Sequence, residues 1–155
     1  TIMTVGTIVV VFFADSFLTP FTAFLTTLGV VIAAWGGVML ADIALRHKDY
    51  DEPSLFTPSG RYGSVNWGAV ASLIVGSLVG WGLVVNANAS WLSWQGYLLG
   101  PLGGREGDWA GANIGILLAM VVGFVGYWAT SAGRVRTQEK LASRTYAQGV
   151  EEGER

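Results

Sequence analysis

The sequence has no cysteine and a single histidine, His47, among its 155 residues. The missing thiols exclude disulfide frameworks, thiolate metal sites and a cysteine nucleophile, and one histidine excludes a multi-histidine metal site. Charge is scarce as well, because 13% of the residues are charged where a soluble domain has about 25%. The formal net charge is −2, so the basic surplus that binds phosphates is missing and we expect no nucleic-acid partner.

The few charges leave long stretches of the chain uncharged and apolar. Asp15 is the only charged residue before Asp42, and no charge occurs in 62–104 or 109–133. A helix needs about 20 consecutive apolar residues to cross a bilayer core. Three stretches reach that length: 21–45, 65–85 and 113–132. A soluble chain of this size could not bury three such helices, so the sequence predicts an all-α integral membrane protein surrounded by lipid.

We divide the chain into one partial transmembrane helix, three full spans and the segments between them. The partial helix covers 1–14, and the full spans cover 19–46, 65–86 and 113–133. The connecting segments are a cytoplasmic loop at 47–64, an extracytoplasmic loop at 87–112 with a short interfacial helix over 90–99, and a cytoplasmic tail at 134–155, disordered after Arg144. Because 1–14 crosses only part of a bilayer, we expect the chain to be the C-terminal piece of a larger protein.

Basic residues set the predicted orientation, because loops rich in Lys and Arg stay on the cytoplasmic side. Arg46, His47 and Lys48 close the first full span, and Arg61 lies in the loop after it. A second basic group follows the last span: Arg134, Arg136, Lys140 and Arg144. Two crossings separate the groups, so both lie on one face. We therefore predict a multi-pass protein of the cell membrane with a cytoplasmic C-terminus.

Small residues recur at four-residue spacing in each full span, which is typical of faces where membrane helices pack closely. The three stripes are Gly29-Ala33-Gly37-Ala41, Gly68-Ser72-Gly76-Gly80 and Gly115-Ala119-Gly123. We expect these faces to contact other helices. Three interacting faces suit a bundle of more than three helices, which again indicates missing partners.

Polar groups at membrane depth are the usual sites of transport or catalysis, and they are few here. Asp42 lies four residues before Arg46, which predicts a structural ion pair, with a role in coupling-ion movement as the alternative. Thr22, Thr26 and Thr27 are expected to donate their hydroxyls to carbonyls one turn back, with a pathway-facing surface as the alternative. No paired carboxylates, phosphate loop or nucleophile–base set occurs, so we predict that the protein is not an enzyme.

Ordered blocks of sequence carry a family resemblance. A helix ending in Leu40-Ala41-Asp42 precedes the basic stretch Arg46-His47-Lys48, and the next helix opens with Val65-Asn66-Trp67. A later block is Ser93-Trp94-Gln95-Gly96-Tyr97-Leu98-Leu99-Gly100-Pro101. Spread over about residues 2–136, these blocks resemble the C-terminal part of purine-cytosine permeases, in the nucleobase:cation symporter family.

The resemblance implies a five-plus-five inverted-repeat (LeuT-like) transporter, of which this chain would supply part of helix nine and helices ten to twelve. It implies import of nucleobases such as cytosine and purines with a cation, H+ or Na+, and no other cofactor. Substrate contacts in the family lie mostly on helices one, three, six and eight, so no binding residue is carried over and the missing N-terminal helices would be partners. Helix ten is a moving gate in relatives, which makes Phe21, Phe24 and Leu25 the candidate outer gate by position. The alternative is a small helical membrane subunit with a structural or assembly role.

Overall fold

The part of the chain that the computed structural model describes is built on three helices. It comprises Thr4, Thr7 and residues 18–47, 65–86 and 89–153, with side chains up to residue 141. The helices are α1 (Leu18–Leu45), α2 (Trp67–Gly82) and α3 (Ile114–Gly153). Within the described ranges there is no β-strand, which agrees with the predicted all-α class. Nearly all of the predicted partial span at 1–14 and most of the loop at 47–64 lie outside the described residues.

Two of the three helices are long and apolar enough to cross a bilayer. α1 has 28 residues, and the apolar part of α3, Ile114–Leu141, has another 28. α2 has 16 residues, which is about 24 Å of helix against a hydrocarbon core about 30 Å thick. The predicted span at 65–86 is therefore shorter as a helix than expected.

Local hydrogen bonds define both ends of α2. Asn66 is the N-cap, and its side-chain oxygen accepts a backbone N–H of the first turn. At the other end the Gly96 N–H donates to the Trp81 carbonyl at 2.9 Å. The Leu98 N–H donates to the Gly82 carbonyl at 2.8 Å. A bilayer core offers no water to carbonyl groups that lack a partner. The loop after α2 folds back and donates hydrogen bonds to the last carbonyls of α2, so no further helical turn is needed to pair them.

The loop between α2 and α3 consists of short 3-10 turns, and the predicted interfacial helix over 90–99 is wrong. Of that stretch only Ser90–Leu92 forms a 3-10 turn. Gly96 prevents a longer helix, since its φ of +79° is left-handed and its N–H is already bonded to the end of α2. Three further turns complete the loop: Gly100–Leu102, Gly104–Glu106 and Ala110–Ala112.

α3 continues well past the predicted span. Its 40 residues end at Gly153, so the helix does not stop at residue 133. The expected disorder after Arg144 is therefore wrong for the residues up to Gly153. Residues 134–142 contain no Pro or Gly and are mostly good helix formers. Gln138 and Glu139 of this extension also bond to the end of α1, which stabilises the helix beyond its apolar part.

The helices pack through small residues, as the stripes on α2 and α3 predict. α3 contacts both α1 and α2, and those two helices also contact each other. A methyl group on Gly76 would lie 2.9 Å from the Ala119 carbonyl oxygen. One on Gly80 would lie 2.9 Å from the Gly115 carbonyl oxygen. Only residues without a side chain allow this approach, and because the stripes meet within this chain they do not themselves call for additional helices.

The contact face of α1 departs from its predicted stripe toward the N-terminal end. Val30, Ala34 and Ala41 are fully buried, whereas a methyl group on Gly29 would have no neighbour within 4 Å. At 3.6 residues per turn, a strict four-residue stripe drifts about 40° around the helix at each step. The buried face includes one three-residue step, from Ala34 to Gly37, which offsets part of the drift of its four-residue steps.

Candidate functional site

The three candidate gate residues lie on the open surface of α1. Phe21, Phe24 and Leu25 are 43%, 50% and 48% exposed, so they contribute little to the packing of α1 on the other two helices. They also do not line the cleft at this end of the helix. Their role as a gate stays a prediction.

An open cleft of about 370 Å³ lies at the N-terminal end of α1, beside the segment that follows α2 and the start of α3. Its described lining combines apolar side chains with uncharged polar ones. The described lining residues are Leu18, Thr19, Thr22, Ala23, Thr26, Val85, Asn86 and Asn113. Hydroxyls and carboxamides donate and accept hydrogen bonds, so these residues suit a neutral polar molecule better than an ion.

Next to the cleft, a buried hydrogen-bond network joins α1 to the loop after α2. Gln95 is 1% exposed, and its Nε2 donates to Thr27 Oγ1 at 3.0 Å. Asn86 Nδ2 donates to Gln95 Oε1 at 2.5 Å. Trp81 Nε1 donates to the Thr27 carbonyl at 3.0 Å. Within the described residues every buried side-chain polar atom has a partner, as a stable buried network requires.

The threonines of α1 are used in two ways. Thr26 Oγ1 donates to the Thr22 carbonyl at 3.0 Å, and Thr27 Oγ1 donates to the Ala23 carbonyl at 2.9 Å, which confirms the predicted bonding one turn back for these two residues. The prediction is wrong for Thr22, whose hydroxyl makes no such bond to the Leu18 carbonyl. Thr27 in addition accepts the hydrogen bond from Gln95. Thr22 and Thr26 line the cleft, and the alternative of a pathway-facing surface stays a prediction for this part of the helix.

A second network lies at the C-terminal end of α1, around Asp42 and Arg46. Arg46 Nε lies 2.9 Å from Asp42 Oδ2, and the two side chains are 13% and 14% exposed. The Tyr127 hydroxyl donates to Asp42 Oδ1. Both terminal nitrogens of Arg46 donate to Gln138 Oε1 at 3.3 Å. A largely buried ion pair is costly unless further hydrogen bonds complete it, and α3 supplies those bonds here.

Asn66 and Glu139 extend this network across the ends of all three helices. Asn66 Nδ2 lies 3.4 Å from Tyr127 Oη and 3.4 Å from Ser131 Oγ. The His47 N–H donates to Glu139 Oε1 at 2.6 Å. Among the described residues no group of His, Asp and Glu could hold a metal ion. The arrangement fixes the end of α1 to α3, which is what a positional anchor requires.

Sequence reasoning missed the residues that complete both networks. Gln95 stands in an aromatic run and gives no local signal that it will be buried against Thr27. Tyr127 gives a usable signal, because its hydroxyl lies inside an uncharged apolar span and a polar group at that depth needs a partner. Asp42 is the carboxylate that accepts from it.

These elements define a helical membrane protein whose apolar helices are joined by small residues and by two polar networks. A family model described as a permease for cytosine/purines, uracil, thiamine and allantoin matches residues 1–100, which include all of α1 and α2. The chain belongs to this permease family. It is a transport protein and not an enzyme, in agreement with the sequence prediction. No curated protein and no solved structure matched the chain.

Proposed function

We propose that the protein imports nucleobases such as cytosine and purines together with a cation, H+ or Na+. The observation that carries the proposal is the family match over residues 1–100. In this proposal α1, α2 and α3 are helices ten, eleven and twelve of a five-plus-five inverted-repeat transporter. The substrate-binding helices then belong to the part of the transporter that precedes this chain.

The charge pattern and the inner network support a cytoplasmic C-terminus in this proposal. Arg46 at the end of α1 bonds to Gln138 of α3, so the basic residues after both helices lie at the same end of the bundle. Arg134, Arg136 and Lys140 are the nearest of these on α3. One basic end on a membrane protein favours the cytoplasmic side.

The distribution of contacts along α1 supports a gate role for its N-terminal half. Its C-terminal half is fixed by Gly37, which packs against the α3 backbone, and by the Asp42–Arg46 network. Its N-terminal half is bonded through Thr27 to the loop and borders an open cleft. Because α1 is bonded at Thr27, only the turns before that residue can move, and broken or bending helices at a transport site act in this way.

Uptake by cells tests the proposal. The complete reading frame that contains this sequence is expressed in a host lacking its own nucleobase permeases, and uptake of radiolabelled cytosine, hypoxanthine and uracil is measured. We expect saturable uptake that falls when the proton gradient is collapsed or when sodium is removed. Uptake no higher than in vector-carrying cells for every base would contradict the proposal.

A further inference from the structure

We infer that the cleft at the N-terminal end of α1 is a binding site for a neutral planar heterocycle of the nucleobase type. The site lies on this chain and is separate from the substrate site that the proposed function assigns to other helices. The inference rests on the proposed function for the choice of ligand. The cleft itself is a feature of the described residues.

The size and the composition of the cleft define the ligand class. Its volume of about 370 Å³ falls in the range of about 300 to 1,000 Å³ typical of small-molecule sites. Leu18 and Val85 offer apolar surface to ring faces, and threonine and asparagine side chains supply the polar groups. Among the lining residues that the structure describes none is charged, so these side chains offer an entering ion no counter-charge for the hydration it would lose.

Some polar groups of the cleft have no hydrogen bond within the described part of the chain. The Thr26 hydroxyl donates to the Thr22 carbonyl, and the Asn86 amide nitrogen donates to Gln95 Oε1. The Thr22 hydroxyl and the Asn113 carboxamide make no hydrogen bond to any other residue that the structure describes. A hydroxyl and a carboxamide together both donate and accept, which matches the adjacent N–H and C=O groups on the edge of a nucleobase.

The absence of cysteine from the chain allows a direct test. Thr19→Cys places a thiol in the cleft and keeps the Thr22 hydroxyl and the Asn113 carboxamide, and Ser93→Cys places a control thiol on the exposed surface of the loop, outside the cleft. Each variant is made in the complete protein that carries this sequence, with any cysteine outside it replaced by serine, and is labelled with a maleimide in open membrane fragments, with and without cytosine, uracil or hypoxanthine. At a base concentration ten times its Kd, we expect labelling of Thr19→Cys to slow about tenfold and labelling of Ser93→Cys to stay the same.

A second variant tests whether the polar lining makes the site. Asn113 has a φ of +49°, which glycine adopts without strain, so Asn113→Gly removes the carboxamide and leaves the backbone in place. In the Thr19→Cys background we expect Asn113→Gly to raise the base concentration needed for half-protection about threefold to tenfold. Thr26→Cys, on the same cleft, is a second reporter if Thr19→Cys does not insert into the membrane.

The outcomes separate this inference from the proposed function. No protection by any of the three bases, or equal slowing at Ser93→Cys, overturns the inference. Protection that Asn113→Gly leaves unchanged also overturns it. Uptake without protection removes the site and leaves the transport proposal intact, whereas protection without uptake supports the site and removes the transport proposal.

Discussion

Two neighbouring glycines of α1 allow the packing to be tested by one matched pair of substitutions. A methyl group on Gly37 would overlap the Met120 carbonyl oxygen and lie 3.0 Å from the Phe124 nitrogen. These are backbone atoms of α3, so no side-chain rotation relieves the overlap. A methyl group on Gly36 has no neighbour within 4 Å. The two positions share one helix and differ in what they face.

The expected magnitudes follow from these contacts. Either alanine gains up to about 1 kcal/mol of helix propensity relative to glycine. Gly37→Ala must also separate α1 from α3, and overpacking of this kind costs about 1 to 3 kcal/mol. We therefore expect Gly36→Ala to be as stable as the parent or more stable, and Gly37→Ala to be less stable than Gly36→Ala by about 1 to 3 kcal/mol.

Unfolding in mixed micelles measures the difference. Each variant is titrated with a denaturing detergent, and tryptophan fluorescence and near-ultraviolet circular dichroism report the loss of packing. Equal midpoints and slopes for Gly36→Ala and Gly37→Ala would refute the close contact between α1 and α3. A less stable Gly36→Ala would show that the open side of α1 is covered by something that the contacts of this chain do not contain.

Three further substitutions test the two networks and the gate. Asp42→Ala leaves the Arg46 guanidinium largely buried without its carboxylate, so we expect a loss of about 3 to 5 kcal/mol in the same titration; an unchanged midpoint would exclude the pair as an anchor. Gln95→Leu removes the hydrogen bonds to Thr27 and Asn86, so we expect the free energy of unfolding to fall by about 1 to 3 kcal/mol and proteolysis within 89–112 to become faster. A cleavage rate equal to that of the parent would contradict the described network. Phe24→Ala is expected to weaken substrate occlusion in the transporter, seen as changed uptake and affinity; unchanged values for both would remove Phe24 from the gate.

The helices of the chain could be predicted from sequence because their signals are local. Apolar stretches of sufficient length indicate α1 and the apolar part of α3, and the helices cover the predicted spans 19–46 and 113–133 except for Arg46 and Asn113. Four-residue spacing brings Asp42 and Arg46 together on one helix face. The bonding of Thr26 and Thr27 one turn back depends only on helix geometry, so it too follows from the sequence.

The differences arise where distant residues decide the local structure. α2 ends early because Gly96 and Leu98 of the following loop bond to its last carbonyls, and no pattern inside α2 shows that partner. α3 extends because Gln138 and Glu139 bond to the end of α1. In both cases a polar contact between residues far apart in the sequence sets where the helix ends, and the composition of the helix does not show that contact.

The candidate site, too, follows from the sequence only in part. The positions of Phe21, Phe24 and Leu25 on one region of α1 follow from helical spacing, but their exposure depends on which face the other helices take. The cleft is assembled from three segments, represented by Thr22, Asn86 and Asn113. No sequence pattern joins those segments, so the cleft could be found only in three dimensions.

Transport by the purified protein tests the central claim most directly. The protein that carries this sequence is reconstituted into lipid vesicles free of other proteins, and entry of radiolabelled cytosine is followed under an imposed proton or sodium gradient. We predict saturable entry that depends on one of these gradients and is reduced by unlabelled base. Entry equal to that of protein-free vesicles for cytosine and for every other base tested would contradict the account.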